Sequence, residues 1–251
     1  MGKDGRDIAS LVCARLKSGG RVTVLTGAGI SAESGLATFR DMGGLWEQYR
    51  VEELASPEGF ARNPALVYDF YNLRRAQLNS IEPNSGHLAL ATLERQVGDG
   101  FSLITQNVDD LHERAGSRQP LHMHGELRKA RCQACASVLN WPDDLDAKSQ
   151  CSACGSHALR PHIVWFGEMP FHMEERIPAS LTAEVFLSIG TSGHVYPAAG
   201  FVAEARQQGA LTIEVNLEPS ANSEAFDAAL YGPAGEILPP LVDAIMAGLS
   251  E

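Results

Sequence analysis

The chain has 251 residues, 44% of them hydrophobic and 20% charged, with a formal net charge of −11. That length and apolar content bury a full core and suit one α/β domain with a modest insertion, which excludes a disordered chain. The acidity argues against a broad nucleic-acid footprint, whereas lysine-rich protein segments would be attracted to such a surface.

Ile8, Leu11, Val12 and Leu16 recur at helical spacing and predict an opening amphipathic helix, ended by Gly19 and Gly20, with Cys13 on its apolar face. The same stretch lacks an apolar signal core, and Arg6 stands where myristoylation needs Ser or Thr. No run approaches transmembrane length, so the expectation is a cytoplasmic, reducing compartment and no membrane partner.

Val22, Val24 and Leu25 read as a buried strand, followed by Gly27, Gly29 and Ala32 in the pattern G-x-G-x-x-G/A. There small residues permit a tight turn, let backbone N–H groups approach phosphate oxygens and aim a helix N-terminus at negative charge. Glycine turns also join strands to helices where no ligand binds, so the pattern alone leaves both readings open. A dinucleotide site further expects an acid about 20 residues on, after the next strand, for the ribose hydroxyls. Glu52 and Glu53 lie near that distance but follow a polar segment of helical character. Either the acid comes from elsewhere or the fold departs from the dehydrogenase plan.

Residues 64–79 predict a helix with proline at its first position, and residues 87–96 a second. Residues 101–105 form a short apolar run that reads as a buried strand with polar residues at its end. The same grammar recurs as a strand at 185–190, a helix at about 197–208 and a strand at 211–215. Strands alternating with helices predict a parallel α/β sheet that binds ligands at its C-terminal edge. Residues 125–160 break the rhythm and read as an insertion with its own means of stabilisation.

Cys132 and Cys135 form one C-x-x-C pair and Cys151 and Cys154 another, with the 15 residues 136–150 between them. This is zinc-ribbon spacing: each knuckle turns two thiolates toward one ion, and four thiolates close the tetrahedral shell. A closed shell has no open position for substrate, so the zinc is expected to be structural. The polar run Thr105–Asp109 and the histidines His122 and His124 concentrate hydrogen-bonding and basic groups near the expected ligand edge. Taken singly, each is also an ordinary turn, cap or core residue, and the spacing does not choose between the histidines.

Taken together, these stretches resemble the sirtuin family of NAD-dependent protein-lysine deacylases, in particular its bacterial CobB-type, class III branch. The resemblance rests on GAGISAESG at 27–35, TFR at 38–40, GLW at 44–46, TQNVD at 105–109, HMHG at 122–125, the two C-x-x-C pairs, VWFGE at 164–168, GTSGHVYPAAG at 190–200 and NLEPS at 216–220. It covers nearly the whole chain. Ala37 departs from it, since many members carry proline there.

The resemblance implies a Rossmann-like parallel sheet with helices on both faces, built from residues 1–36, 81–124 and 161–251. A helical insertion at 37–80 would carry a cofactor-closing loop and the acyl pocket, and a zinc ribbon would span 125–160. It implies His124 as the base, Asn107 and Asp109 as catalytic groups of the nicotinamide pocket, and a structural role for His122. NAD would be held by Gly27, Ala28, Gly29, Ile30, Ser31, Glu33, Thr38, Phe39, Arg40, Trp46, Gln106, Asn107, Val108 and Asp109. Gly190, Thr191, Ser192, Asn216, Leu217, Glu218 and Ala234 would complete that site, Glu218 supplying the missing ribose acid.

Substrate would meet Ala55, Tyr71 and Arg74, and the stretch Val164, Trp165, Phe166, Gly167 and Glu168 would pair edge-on with a peptide. Tyr71 and Arg74, three residues apart on one helix face, imply a receptor for the carboxylate of succinyl and malonyl groups. The implied reaction consumes NAD: the acyl oxygen attacks the nicotinamide ribose, nicotinamide leaves, and the products are free lysine and 2′-O-acyl-ADP-ribose. The expected partners are acylated proteins, met by a monomer. Protein ADP-ribosylation from the same NAD site is the alternative; a non-catalytic module and a hydride-transferring dehydrogenase fit the motifs less well.

Overall fold

The strand Val22–Thr26 (β1) is buried at every position. With no face left for water, it has to lie inside a parallel sheet covered by helices on both sides. The computed structural model, which describes residues 4–36 and 49–250, has that arrangement.

The remaining strands are β2 (Phe101–Thr105), β3 (Leu121–His122), β4 (Gly125–Cys132), β5 (Val138–Asn140), β6 (Leu159–Ile163), β7 (Val185–Ile189), β8 (Leu211–Asn216) and β9 (Ala228–Tyr231). Six of them form a parallel sheet in the order β3-β2-β1-β7-β8-β9. This is a doubly wound order, and it reverses between β1 and β7. A crevice opens beyond the strand ends at such a reversal, so topology alone puts the ligand cleft at Gly27 and Gly190.

Side chains alternate across the sheet. Val22, Val24, Leu103, Leu187 and Ile213 pack on one face with the helices Gly5–Leu16, Ser85–Val97 and Ala234–Ser250. Leu25, Ile104 and Phe186 pack on the other with Ile177, Phe201 and Val202. None of the described helices is long and apolar enough to cross a membrane.

A second, antiparallel sheet has the order β5-β4-β6 and carries the cysteine pairs at its end. Gly125, where β4 begins, takes φ +87°, and any Cβ there would run into the His162 carbonyl, so only glycine fits. Against the small sheet packs the helix Pro64–Gln77. Asn63 caps it by accepting from the Leu66 N–H, and Pro64 stands at its first position. Three polar bonds tie it to the small sheet and its loops. Tyr68 Oη donates to Leu159 O (2.7 Å), Asn72 Nδ2 to Leu145 O (3.0 Å) and Arg75 Nε to Leu127 O (2.7 Å).

The predicted elements are present with shifted ends. The helix at 64–79 stops at Gln77, and that at 87–96 starts earlier, at Ser85 behind an Asn84 cap. The one at 197–208 is a 3-10 turn, Ala198–Gly200, running into Phe201–Gln207. The strand at 185–190 ends at Ile189 because Gly190 turns to φ +61°.

Candidate active site

Two glycine turns meet at the topological switch. Gly27 N–H donates to Ile189 O (3.0 Å) and Gly29 N–H to Gly190 O (2.9 Å), so each turn satisfies the other's backbone. A Cβ on Gly29 would stand 2.7 Å from Gly190 Cα, and one on Gly27 2.7 Å from Gly190 O. The glycines are therefore required for the approach of one turn to the other, a constraint the G-x-G pattern conceals.

Around them opens a cleft of about 1040 Å³. It is lined by Gly27, Ala28, Gly29, Ser31, Gln106, Asn107, Val108, Asp109, His124, Gly190, Thr191, Ser192, Asn216, Leu217 and Glu218. Ala55, Tyr71, Arg74 and the stretch 164–168 line its other end.

Three proposed ligands lie elsewhere. The Ile30 side chain is fully buried in the core beneath the sheet. Both Glu33 carboxylate oxygens accept from Gly235 N–H (3.2 and 3.1 Å) at the start of the last helix, where Ala234 is also buried. That pairing of a carboxylate with free helical N–H groups is a structural cap. Thr38, Phe39, Arg40 and Trp46 lie outside the described residues.

The cleft's polar end is a chain of saturated hydrogen bonds. Asn107 Nδ2 donates to Gly27 O (3.1 Å) and Ser31 Oγ (3.0 Å), and Ser31 Oγ donates to Asp109 Oδ2 (3.0 Å). Burial pushes the Asp109 carboxyl up, against the pull of the Leu111 N–H and Ser31 hydroxyl that it accepts. Beneath, the Asn107 N–H donates to Thr105 Oγ1 (3.0 Å), which in turn accepts from Thr26 Oγ1 (2.9 Å).

His122 and His124 have distinct tasks. The His122 ring bridges Asn107 O (3.1 Å) and Glu113 Oε1 (2.7 Å); burial opposes its charged form, but the Glu113 carboxylate and its other acidic and carbonyl partners outweigh burial and raise the pKa. His124 Nδ1 lies 3.1 Å from Gln106 O. A carbonyl only accepts, so Nδ1 carries the proton and Nε2 is left as a base. Burial lowers the His124 pKa and keeps the ring neutral. With Met123, His124 forms the two-residue junction between β3 and β4, and its own carbonyl accepts from Val164 N–H (2.9 Å).

The other end of the cleft is apolar with few polar groups. Leu36, Val51, Leu127 and Ile163 line it beside Ala55. Tyr71 is 2% exposed, and Trp165 Nε1 donates to its hydroxyl at 3.0 Å. Burial, partly offset by Arg74, pushes the phenol up to about 12 and lowers the Arg74 pKa. Within 164–168, Val164, Trp165, Phe166 and Glu168 have N–H groups already bonded, to His124 O, Glu168 Oε2, Ala55 O and Trp165 O. A peptide pairing edge-on with this stretch would find the Gly167 N–H and the carbonyls rather than those four N–H groups.

The thiolates of Cys132, Cys135, Cys151 and Cys154 lie within 4.8 Å of one another. Cys132–Cys154 is 3.7 Å and Cys135–Cys151 3.8 Å, too long for disulfides. A tetrahedron with Zn–S of about 2.3 Å has edges of about 3.8 Å, so the four fit one zinc ion with no open position.

Motif reading did not find several groups that build the site. Glu214, 1% exposed, accepts from Ser220 N–H (3.2 Å) and Tyr231 Oη (3.0 Å) and fixes the loop bearing Glu218. Asn216, which the motifs did single out, donates through Nδ2 to Thr191 O (2.7 Å) and joins that loop to the second glycine turn. His112, buried beside His87, bonds Thr26 Oγ1 at 2.9 Å. Burial of β8 on both faces covers Glu214, but nothing local foretells its partners.

A six-stranded, doubly wound parallel sheet, a four-cysteine centre and a base facing a nest of Asn, Ser and Asp define an NAD-utilising α/β architecture with a metal-stapled insertion. The chain belongs to the Sir2 family, whose pattern it matches over residues 27–197. It is 57% identical over 232 residues to an NAD-dependent protein deacylase of Salmonella typhimurium, covering 91% of this chain and 85% of that one. The corresponding figures for one from Caulobacter vibrioides are 56% over 236 residues, 91% and 98%. A solved Sir2 homologue in complex with NAD superposes with a TM-score of 0.86 at 40% identity, over 96% of this chain and 94% of that one.

Proposed function

We propose that the protein is an NAD-dependent protein-lysine deacylase that removes acetyl, succinyl and malonyl groups, acting as a cytoplasmic monomer on acylated proteins. Its products are free lysine, nicotinamide and 2′-O-acyl-ADP-ribose. The observation that carries this reading is one cleft holding a neutral histidine with a free Nε2 at its polar end and a Tyr–Arg donor pair at its apolar end.

Bound NAD supplies a ribose carbon activated by its nicotinamide leaving group. The chain's residues do the rest. Asn107, Ser31 and Asp109 form a fixed polar wall for the nicotinamide ribose, already organised by their mutual bonds, so little reorganisation is needed on binding. His124 Nε2 takes a proton from a ribose hydroxyl, and the Gln106 carbonyl steadies the charged ring through Nδ1. Asn216 and Glu218 hold the adenosine ribose, on a loop braced by Glu214. Tyr71 and Arg74 bind the distal carboxylate of an acidic acyl group. Protein ADP-ribosylation would leave Tyr71 and Arg74 without a task and is not favoured.

One peptide in acetyl, malonyl and succinyl forms, assayed with and without NAD, tests this. His124→Ala should lower all three rates about 10²- to 10⁴-fold. Arg74→Met should lower succinyl and malonyl kcat/KM about 100-fold while largely sparing acetyl. Turnover without NAD would overturn the activity, and equal losses on all three substrates with Arg74→Met would overturn the acyl selectivity.

A further inference from the structure

We infer that Trp165 is a positioning residue for acyl selection: its indole N–H occupies an acceptor of the Tyr71 hydroxyl, so that the phenolic proton is left for the carboxylate of an acidic acyl-lysine. The inference rests on the proposed role of Tyr71 and Arg74 and adds the group that aims one of them.

An indole nitrogen only donates, whereas a phenol can donate once and accept twice. Trp165 Nε1 stands 3.0 Å from Tyr71 Oη, and both side chains are 2% exposed, so water does not compete for the bond. Were the phenolic O–H turned toward the indole, two donors would face each other in a dry site. The proton therefore points elsewhere, and the residue one helical turn on along the cleft wall is Arg74, a pure donor. The phenolic proton is thereby turned into the pocket, where Tyr71 lines the wall, and an acceptor-only group such as a carboxylate is the chemistry that takes it. An acetyl methyl does not.

Trp165 is itself clamped. Its ring lies 3.3 Å under the Arg160 guanidinium and 5.1 Å from the Phe60 ring, and its backbone N–H donates to Glu168 (2.8 Å). Glu168 in turn accepts from Arg160 (2.7 and 3.0 Å) and Arg131 (2.8 Å). The ring cannot swing away without breaking this lattice. Tyr71, pushed up to about 12, also stays protonated and remains a donor at any pH the protein meets. Sequence motifs tie Trp165 to substrate backbone; the side chain has this separate role.

The test is a double-mutant cycle read as the ratio of succinyl to acetyl kcat/KM. Trp165→Phe removes the N–H. A second variant carries β-(3-benzothienyl)alanine at position 165, which keeps the indole's shape with sulfur in place of N–H, and covers the case in which Trp165→Phe does not fold. Each is combined with Tyr71→Phe. The expected result is a fall in the ratio of about 10-fold, mainly through succinyl KM, that vanishes in the Tyr71→Phe background. An unchanged ratio, or an equal fall with and without the Tyr71 hydroxyl, would overturn the inference and leave Trp165 a packing residue. Arg74→Met, measured alongside, separates the two levels: a wild-type ratio there would overturn the acidic-acyl reading itself.

Discussion

The two sheets are held together by different means. The parallel sheet buries a continuous apolar cluster on each face, with helices over both. Among the described residues, the antiparallel sheet's own cluster buries Tyr68, Ala130, Cys132, Leu145, Cys151 and Leu159, and two of those six are metal-site cysteines. A module that small does not gather enough apolar area to fold alone, so the metal replaces a core. The helix bearing Tyr71 and Arg74 is bonded to this metal-dependent half by Tyr68, Asn72 and Arg75. The glycine-turn end of the cleft thus rests on hydrophobic burial, and the end proposed to take the acyl group rests in part on the cysteine centre.

The largest effect should follow removal of zinc, by chelation or Cys132→Ser. Zinc-finger peptides lose about 10–16 kcal/mol of apparent binding energy with their ion, so the small sheet should open locally. Amide hydrogen exchange should rise across residues 125–163 while β1 and β7 stay protected. Equal loss of protection in both sheets would break the comparison.

Acid should act on both halves, since burial also lowers the His162 pKa to about 4 in the small sheet, but its deepest target is in the parallel half. His87 is fully buried, and desolvation holds its pKa at about 4; His112 beside it is also lowered. A histidine with a depressed folded pKa takes up its proton first in the unfolded chain, so stability falls as pH drops from about 6.5 to about 4. For His87 alone the loss is about 3 kcal/mol, visible as a falling urea midpoint. A midpoint constant over that window would exclude neutral burial of His87. The smallest effect belongs to Tyr68→Phe, which removes one bond between the acyl helix and the small sheet. It should cost about 1 kcal/mol and raise exchange only in the acyl half.

Much of the fold was legible in the chain. Runs such as residues 22–26 and 185–189 are apolar, short and followed by glycine, which is what a buried parallel strand needs. The metal centre was legible because ligand spacing is itself the geometry. Less local facts were not. Arg74 and Arg75 are neighbours of one type, yet Arg75 is 1% exposed and bonded to Leu127 O, because the helix turns it toward a strand 52 residues away. Glu33, expected to bind the cofactor, accepts from the start of a helix 202 residues on. Trp165 meets Tyr71 across 94 residues. Each depends on a long-range approach that no window of sequence contains. His124 was singled out over His122 by family resemblance; both ring nitrogens of His122 are bonded, whereas His124 is bonded through Nδ1.

The junction at Met123 and His124 joins one sheet to the other. The Met123 N–H donates to Thr105 O on the parallel side, while the His124 carbonyl accepts from Val164 on the antiparallel side. His124 therefore serves as an alignment mark between a body fixed by burial and a body fixed by sulfur. Any slippage of one against the other would change the bond from the His124 ring to Gln106 O before it changed anything else in the cleft, and the ring's nitrogen resonances would register it.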